Sequence, residues 1–255
     1  MSYAFGDSER AARRLALVAR VFERASGAFL AESGRQGGAL AVDLGCGPGY
    51  TTELVARSLA CVRCVGIDAS AAYVDAARRR AAPGCEFVCH DVLSAPYPTG
   101  SADTLYARFL VSHLADPEEA IAIFASQVAS GGRLLLDEVE WIRSEAEPFR
   151  RYLALVEVVL ASQRQSLFVG AKIGALAARD PRATGNAVRE LAVDPRDAAG
   201  MFSLNWETLR EHAAVAERTT AAECSALAEA LAALRDGDLP PDPITWGLRQ
   251  VRFEV

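Results

Sequence analysis

The stretch Val42 to Tyr50, VDLGCGPGY, constrains this chain more than any other. Gly45, Gly47 and Gly49 stand at every second position after an apolar run that ends in Asp43, and the helix-like TTELVARSLA follows. Glycine lacks a Cβ, so it takes positive φ at little cost and lets another group approach the backbone closely. A bare loop between a buried strand and a helix is a place where a ligand meets the main chain at a helix N-terminus.

The segments around the loop repeat one pattern. ALAVDLG, VRCVGID, EFVCHDV, ADTLYARF and RLLLDEVEW read as five short apolar strands. TTELVARSLA, AAYVDAARRRA and DPEEAIAIFASQVA read as helices between them, the last with Asp116 as N-cap, Pro117 at the first helical position, Glu119 completing a capping box, and Gly131 and Gly132 as its stop. Short apolar strands alternating with helices predict an α/β fold, a doubly wound, mostly parallel sheet covered on both faces. An amphipathic helix from Arg10 to Leu30 precedes the loop, with Leu15, Val18, Phe22 and Phe29 at helical spacing.

The second half is less regular. PFRRYLALVEVVLASQ, KIGALAARD, NWETLREHAA and TAAECSALAEALAALRD predict helices, the last capped by Thr220 with Glu223, while AVRELAV and ITWGLRQVRFEV predict strands. The apolar phase of the final strand shifts between Leu248 and Val251, which predicts a bulge or burial on both faces.

The 255 residues, 51% hydrophobic and 24% charged, describe a soluble globular chain, and a net charge of −6 with no long basic tract argues against a nucleic-acid partner. The first residues lack the apolar core of a signal peptide and no run reaches the length of a membrane span, so the expected location is the cytoplasm, away from membranes. In a reducing compartment the six cysteines read as small buried hydrophobes. Cys61 and Cys64 with Cys85 and Cys89 imitate zinc-ribbon spacing, but Cys64 and Cys89 fall on strands and not on ligand-presenting turns, so no metal is expected.

The loop departs from the dinucleotide fingerprint G-x-G-x-x-G, because its third glycine comes one residue early and Tyr50 stands where that fingerprint needs glycine. The pattern Asp43-x-Gly45-x-Gly47-x-Gly49 resembles instead the first motif of the class I S-adenosylmethionine-dependent methyltransferases. Asp68, ending the second strand, resembles the acid that accepts from the ribose hydroxyls, and Asp91, ending the third, the acid that pairs with the adenine amino group. The resemblance spans about residues 38 to 140. It implies S-adenosyl-L-methionine as cofactor, with Cys46, Ala69, Val92 and Arg108 completing its wall. YAFGDSERAARRL resembles the N-terminal stretch that closes over the cofactor in small-molecule methyltransferases, which makes Tyr3 and Arg14 lid residues.

That resemblance further implies a Rossmann-like methyltransferase fold of seven strands with helical lid insertions, the sixth and seventh strands being AVRELAV and ITWGLRQVRFEV. The chain then forms a single domain: an N-terminal helical lid (1–37), a cofactor-binding half (38–140), and a helical cap with the last two strands (141–255). Catalytic candidates are His113, after the fourth strand, as general base or orienting group, and Glu138, at the end of the fifth, with Glu140 beside it. His90 is expected to pack beside the adenine site. Leu155, Val159, Phe168, Phe202 and Trp206 suggest a pocket for an apolar acceptor. The expected function is methyl transfer to a small molecule in specialised, natural-product metabolism, and a homodimer is compatible with it. A cofactor-binding protein without methyl transfer, a cyclase, and an RNA or protein methyltransferase remain open as alternatives.

Overall fold

The computed structural model describes residues 9–237 and 242–255. Seven strands, β1 (Leu40–Leu44), β2 (Arg63–Asp68), β3 (Cys85–Cys89), β4 (Ala102–Arg108), β5 (Val128–Ser144), β6 (Ala183–Val193) and β7 (Ile244–Glu254), form one sheet in the order β3-β2-β1-β4-β5-β7-β6. β3, β2, β1, β4 and β5 are mutually parallel, and β7 runs antiparallel to both β5 and β6. The seven strands of the mostly parallel α/β fold expected from the sequence are all present, and AVRELAV and ITWGLRQVRFEV are the sixth and seventh.

The helices are α1 (Glu9–Ser33), α2 (Tyr50–Leu59), α3 (Ala71–Arg80), α4 (Pro117–Ser126), α5 (Glu147–Ser162), α6 (Gly170–Ala177), α7 (Pro195–Leu209), α8 (Ala213–Ala216) and α9 (Ala221–Asp236). On one side of the sheet Phe29 and Leu30 of α1, Leu54 and Val55 of α2 and Val74 of α3 share a core with the strands. On the other, Phe124 of α4 and Ile173 of α6 pack against Leu105 and Leu134. A third core joins α1, α5, α7 and α9 to the upper parts of β5 and β7, with Phe22, Tyr152, Phe202, Leu231 and Trp246 among its members.

Two local departures from the sequence expectations, and one expectation met in its second form, have identifiable causes. α4 ends at Ser126 and not at the Gly131–Gly132 pair, because Val128 already pairs with Ala102 as part of β5. The pair instead makes a bulge inside the strand, where Gly131 takes φ 72° and donates its N–H to the Val255 carbonyl. The irregularity expected in β7 lies opposite it: the register slips between Val139 and Trp141, leaving Glu140 as the extra residue on β5, and β7 itself is buried on both faces. Finally, the helix expected from Asn205 begins ten residues earlier. Asp194 caps it by accepting from the Arg196 N–H and Pro195 opens it, the same device that starts α4. Gly200 interrupts the pattern in the sequence but serves packing, since a Cβ there would stand 3.1 Å from Leu17 of α1.

The Thr220–Glu223 capping box of α9 forms in both directions. Glu119 follows the simpler course of donating its N–H to Asp116. Cys64 is buried on β2 as expected, whereas Cys89 ends β3 exposed.

Candidate active site

Parallel strands open their carboxyl ends along one edge, and a ligand crevice forms where neighbouring connections leave in opposite directions, here between β1 and β4. A cavity of about 590 Å³ lies there, and α1 crosses it. The loop after β1 lines one end. Gly45 and Gly47 take φ 66° and 51°, and the Cys46 N–H is bonded to the Ile67 carbonyl, which fixes the loop against β2.

Asp68 is the hub of this end. Its Oδ2 accepts the Gly47 N–H at 2.8 Å and its Oδ1 accepts the Ser70 N–H at 2.8 Å, so the carboxylate is fixed before any ligand arrives. Asp91 is held similarly, with Oδ1 accepting from the Leu93 N–H at 2.9 Å. Both acids line the cavity, together with Cys46, Ala69 and Val92 of the set expected from the sequence. Leu15 of α1 closes the loop from above: a Cβ on Gly47 would stand 3.3 Å from its Cδ1. The arrangement suits a ligand with a polar, hydroxyl-bearing portion, and two carboxylates at this end favour one carrying positive charge.

Two residues of the expected cofactor set have another role. Asp43 is fully buried, does not line the cavity, and accepts from Thr52 Oγ1 at 2.7 Å, tying β1 to the first turn of α2. Burial raises its pKa to about 7 against the opposing effects of that bond and of Arg108. Gly49 faces the sheet: at φ 88° a Cβ would meet the Phe87 ring at 2.7 Å.

Arg108 does line the cavity, donating to Thr51 Oγ1 at 3.0 Å and Ser26 Oγ at 3.3 Å. Ser26 in turn donates to the buried Asp137, which also accepts from the Tyr106 hydroxyl and from Gln250. This buried chain pins α1 to the sheet directly beneath the cavity. Arg14, on α1, is buried and lines the cavity. Tyr3 lies outside the described residues.

The catalytic candidates separate. His113 lines the cavity from a 3-10 turn (Val111–His113), but burial, with the charge of Arg14 adding to it, drives its pKa to about 3. It is a neutral imidazole at physiological pH and a poor base. Glu138 lies inside β5, fully buried and off the cavity wall. Its Oε1 accepts the N–H groups of Leu110 and Val111 at 2.7 and 2.8 Å, while burial lifts its pKa to about 8. Glu138 is therefore a positioning residue for the turn after β4, where Phe109 holds the strained φ of 52°. Glu140 is forked by Arg249 of β7, and His90 bonds the Ser94 carbonyl away from the cavity wall.

The far end of the cavity is aromatic and aliphatic. Phe22 meets Phe109 edge-on at 4.9 Å, and Tyr152 stacks on Phe202 at 4.2 Å. Of the five apolar residues singled out in the sequence only Phe202 lines the cavity; Leu155, Val159 and Trp206 point into the core. Tyr152, Leu153 and Val156 of α5, Gln165, Asn205 and Trp246 line it unforeseen. Helical periodicity marks a buried stripe without separating its core side from its cavity side.

Comparison with known proteins agrees with this geometry. Residues 42–136 match a family model described as "Methyltransferase domain". A trans-aconitate 2-methyltransferase of Paracidovorax citrulli is 42% identical over 96 residues, which are 37% of this chain and 36% of that protein, so the chain spans little more than a third of the relative it matches. Among solved structures, a protein assigned as a type II methyltransferase from Anaeromyxobacter dehalogenans superposes with a TM-score of 0.58 at 19% identity, covering 91% of this chain and 95% of its own. The [4+2]-cyclase SpnF superposes with a TM-score of 0.52 at 22% identity over 91% of this chain and 82% of its own. Sheet order, glycine loop, paired acids and family match together identify residues 42–136 as a methyltransferase domain of the class I S-adenosylmethionine-dependent type.

Proposed function

We propose that this protein transfers a methyl group from S-adenosylmethionine to a small, largely apolar acceptor. The observation that carries the proposal is a single cavity with two chemically distinct ends: a glycine loop with Asp68 and Asp91 at one, an aromatic chamber at the other. Bound S-adenosylmethionine supplies an electrophilic methyl group on a sulfonium centre. Asp68 and Asp91 are the residues to accept hydrogen bonds from its polar portions, and the Gly45–Gly47 backbone is the surface against which it packs.

The chain's contribution to the reaction is positioning and exclusion of water, which can be worth roughly 7–11 kcal/mol. Leu15, Val18 and Phe22 of α1 cover the cavity, and the Ser26–Asp137–Arg108 chain holds that helix in place. Neutral His113 and the buried Glu138 are unsuited to removing a proton at neutral pH, so the acceptor is one that reacts without a strong protein base. The trans-aconitate methyltransferases among the relatives act on a small molecule by name, and the aromatic chamber supports a bulkier, less polar acceptor of the kind found in natural-product metabolism.

A cyclase reading draws on the same aromatic chamber and on the fold shared with SpnF. Incubation with S-adenosylmethionine and a panel of apolar phenols, carboxylic acids and amines separates the two. Acceptor-dependent release of S-adenosylhomocysteine is expected. Tight cofactor binding with no turnover across the panel would favour the cyclase.

A further inference from the structure

The segment between α5 and α6 carries a polar group that the reaction outlined above does not use. Arg164, at φ 60°, ends α5 in the left-handed region, and the Gln165 N–H returns to the Leu160 carbonyl. The chain is thereby folded back over the 3-10 turn, where the Ser166 N–H reaches the Ser112 carbonyl at 3.3 Å. Gln165 Nε2 donates to the His113 carbonyl at 2.8 Å. That bond fixes which end of the amide is which, since the reverse orientation would set two acceptor oxygens against each other. Gln165 Oε1 is left buried with no hydrogen-bond partner, on a residue that lines the cavity.

A buried amide oxygen without a partner is costly, and a ligand that donates to it removes the cost. We propose that Gln165 determines acceptor specificity by receiving a hydrogen bond from a hydroxyl or N–H group on an otherwise apolar, uncharged acceptor. The inference rests on the methyl-transfer reading of the same cavity. Its surroundings agree in chemistry: the chamber beside it is built from Tyr152, Leu153, Val156, Leu167 and Phe202, and the only acids lining the cavity among the described residues are Asp68 and Asp91 at the other end. A site arranged to meet a donor rejects the analogue that lacks it far more strongly than an apolar wall rejects an extra methyl group.

The test is calorimetric and needs no knowledge of the natural acceptor. Protein saturated with S-adenosylhomocysteine is titrated with 2-naphthol, 2-methoxynaphthalene and 2-naphthoate, which share one apolar body and differ in carrying a donor, no donor or a charge. Wild-type protein is expected to bind 2-naphthol at least about tenfold more tightly than the methyl ether. Gln165→Leu is expected to bring the two within about twofold, and Gln165→Met, which keeps an unbranched stem, serves if the leucine variant fails to fold. A preference that survives both substitutions, tightest binding of 2-naphthoate, or no binding of any probe would overturn the proposal. Failure of the wild-type protein to take up S-adenosylhomocysteine at all would instead count against the methyl-transfer reading, and the probe series is then run on the unliganded protein to judge Gln165 by itself.

Discussion

At its cofactor end the cavity is walled by loops that leave successive strands, and its polar contacts are made by main-chain N–H groups and two short carboxylates. At its acceptor end the wall is assembled from side chains of α1, α5, α7 and β7, which are far apart in sequence and meet only through packing. The first end is rigid by hydrogen bonding and backbone geometry. The second is rigid only insofar as its aromatic side chains fill space. Mutations should therefore separate the two, one class striking ligand affinity and the other stability.

The largest effect is expected from Phe202→Ala. Phe202 touches Tyr152, Phe149 and Trp246, and its removal opens a cavity in the helical core. Urea unfolding should report a loss of about 3–5 kcal/mol. A loss under 1 kcal/mol would mean that the chamber is already loosely packed. Asp68→Ala is the counterpart at the other end. It removes a charge-assisted interaction worth about 1.5–3 kcal/mol, so affinity for S-adenosylhomocysteine should fall by roughly one to two orders of magnitude while the protein stays folded. Unchanged affinity in a folded variant would remove Asp68 from the site.

Gly49→Ala sharpens the comparison, because Gly49 belongs to the cofactor motif yet faces the sheet. With φ 88° and the Phe87 ring in the way, it should cost roughly 1–3 kcal/mol of stability. A variant as stable as wild type would show that Phe87 can yield.

The smallest expected effect is a change of pH dependence. Glu138 titrates near 8 in the folded protein against an ordinary 4.5, and Asp43 near 7 against 3.8. Between these limits the folded state holds protons that the unfolded chain has released, so these two groups make stability fall as pH rises through that window. His113 acts oppositely: with a folded pKa of about 3 against 6.5, it makes stability rise with pH between those values. Of these three groups only the acids change charge from about pH 6.5 to 8, and their share of the stability makes the melting temperature decline. Glu138→Gln keeps an oxygen for Leu110 and Val111 and should flatten that decline; an unaltered slope would show that the carboxyl ionises as readily folded as unfolded.

The same contrast explains what could be read in the sequence. Strand-end motifs are local, so the glycine loop, Asp68 and Asp91 were legible as a unit, as was the sheet that carries them. Asp43 and Gly49 belong to that motif too, but a pattern of residues does not say which members face the ligand and which support the loop from behind. Glu138 departs from its expected place for a related reason: a carboxylate near a strand end looks available in the sequence, but the chain after β4 folds onto it. Gln165 has no motif at all. Its position depends on a left-handed residue ending α5 and on a carbonyl 52 residues earlier in the chain, and neither leaves a periodic signal.

The most direct test of the central claim, that the strand-end cradle holds S-adenosylmethionine, is titration calorimetry of the wild-type protein with S-adenosylhomocysteine and NAD in parallel. Saturable binding of the adenosyl ligand at one site, with no heat from NAD, is the predicted result. Binding of NAD in its place, or no binding of S-adenosylhomocysteine to a folded sample, would contradict it.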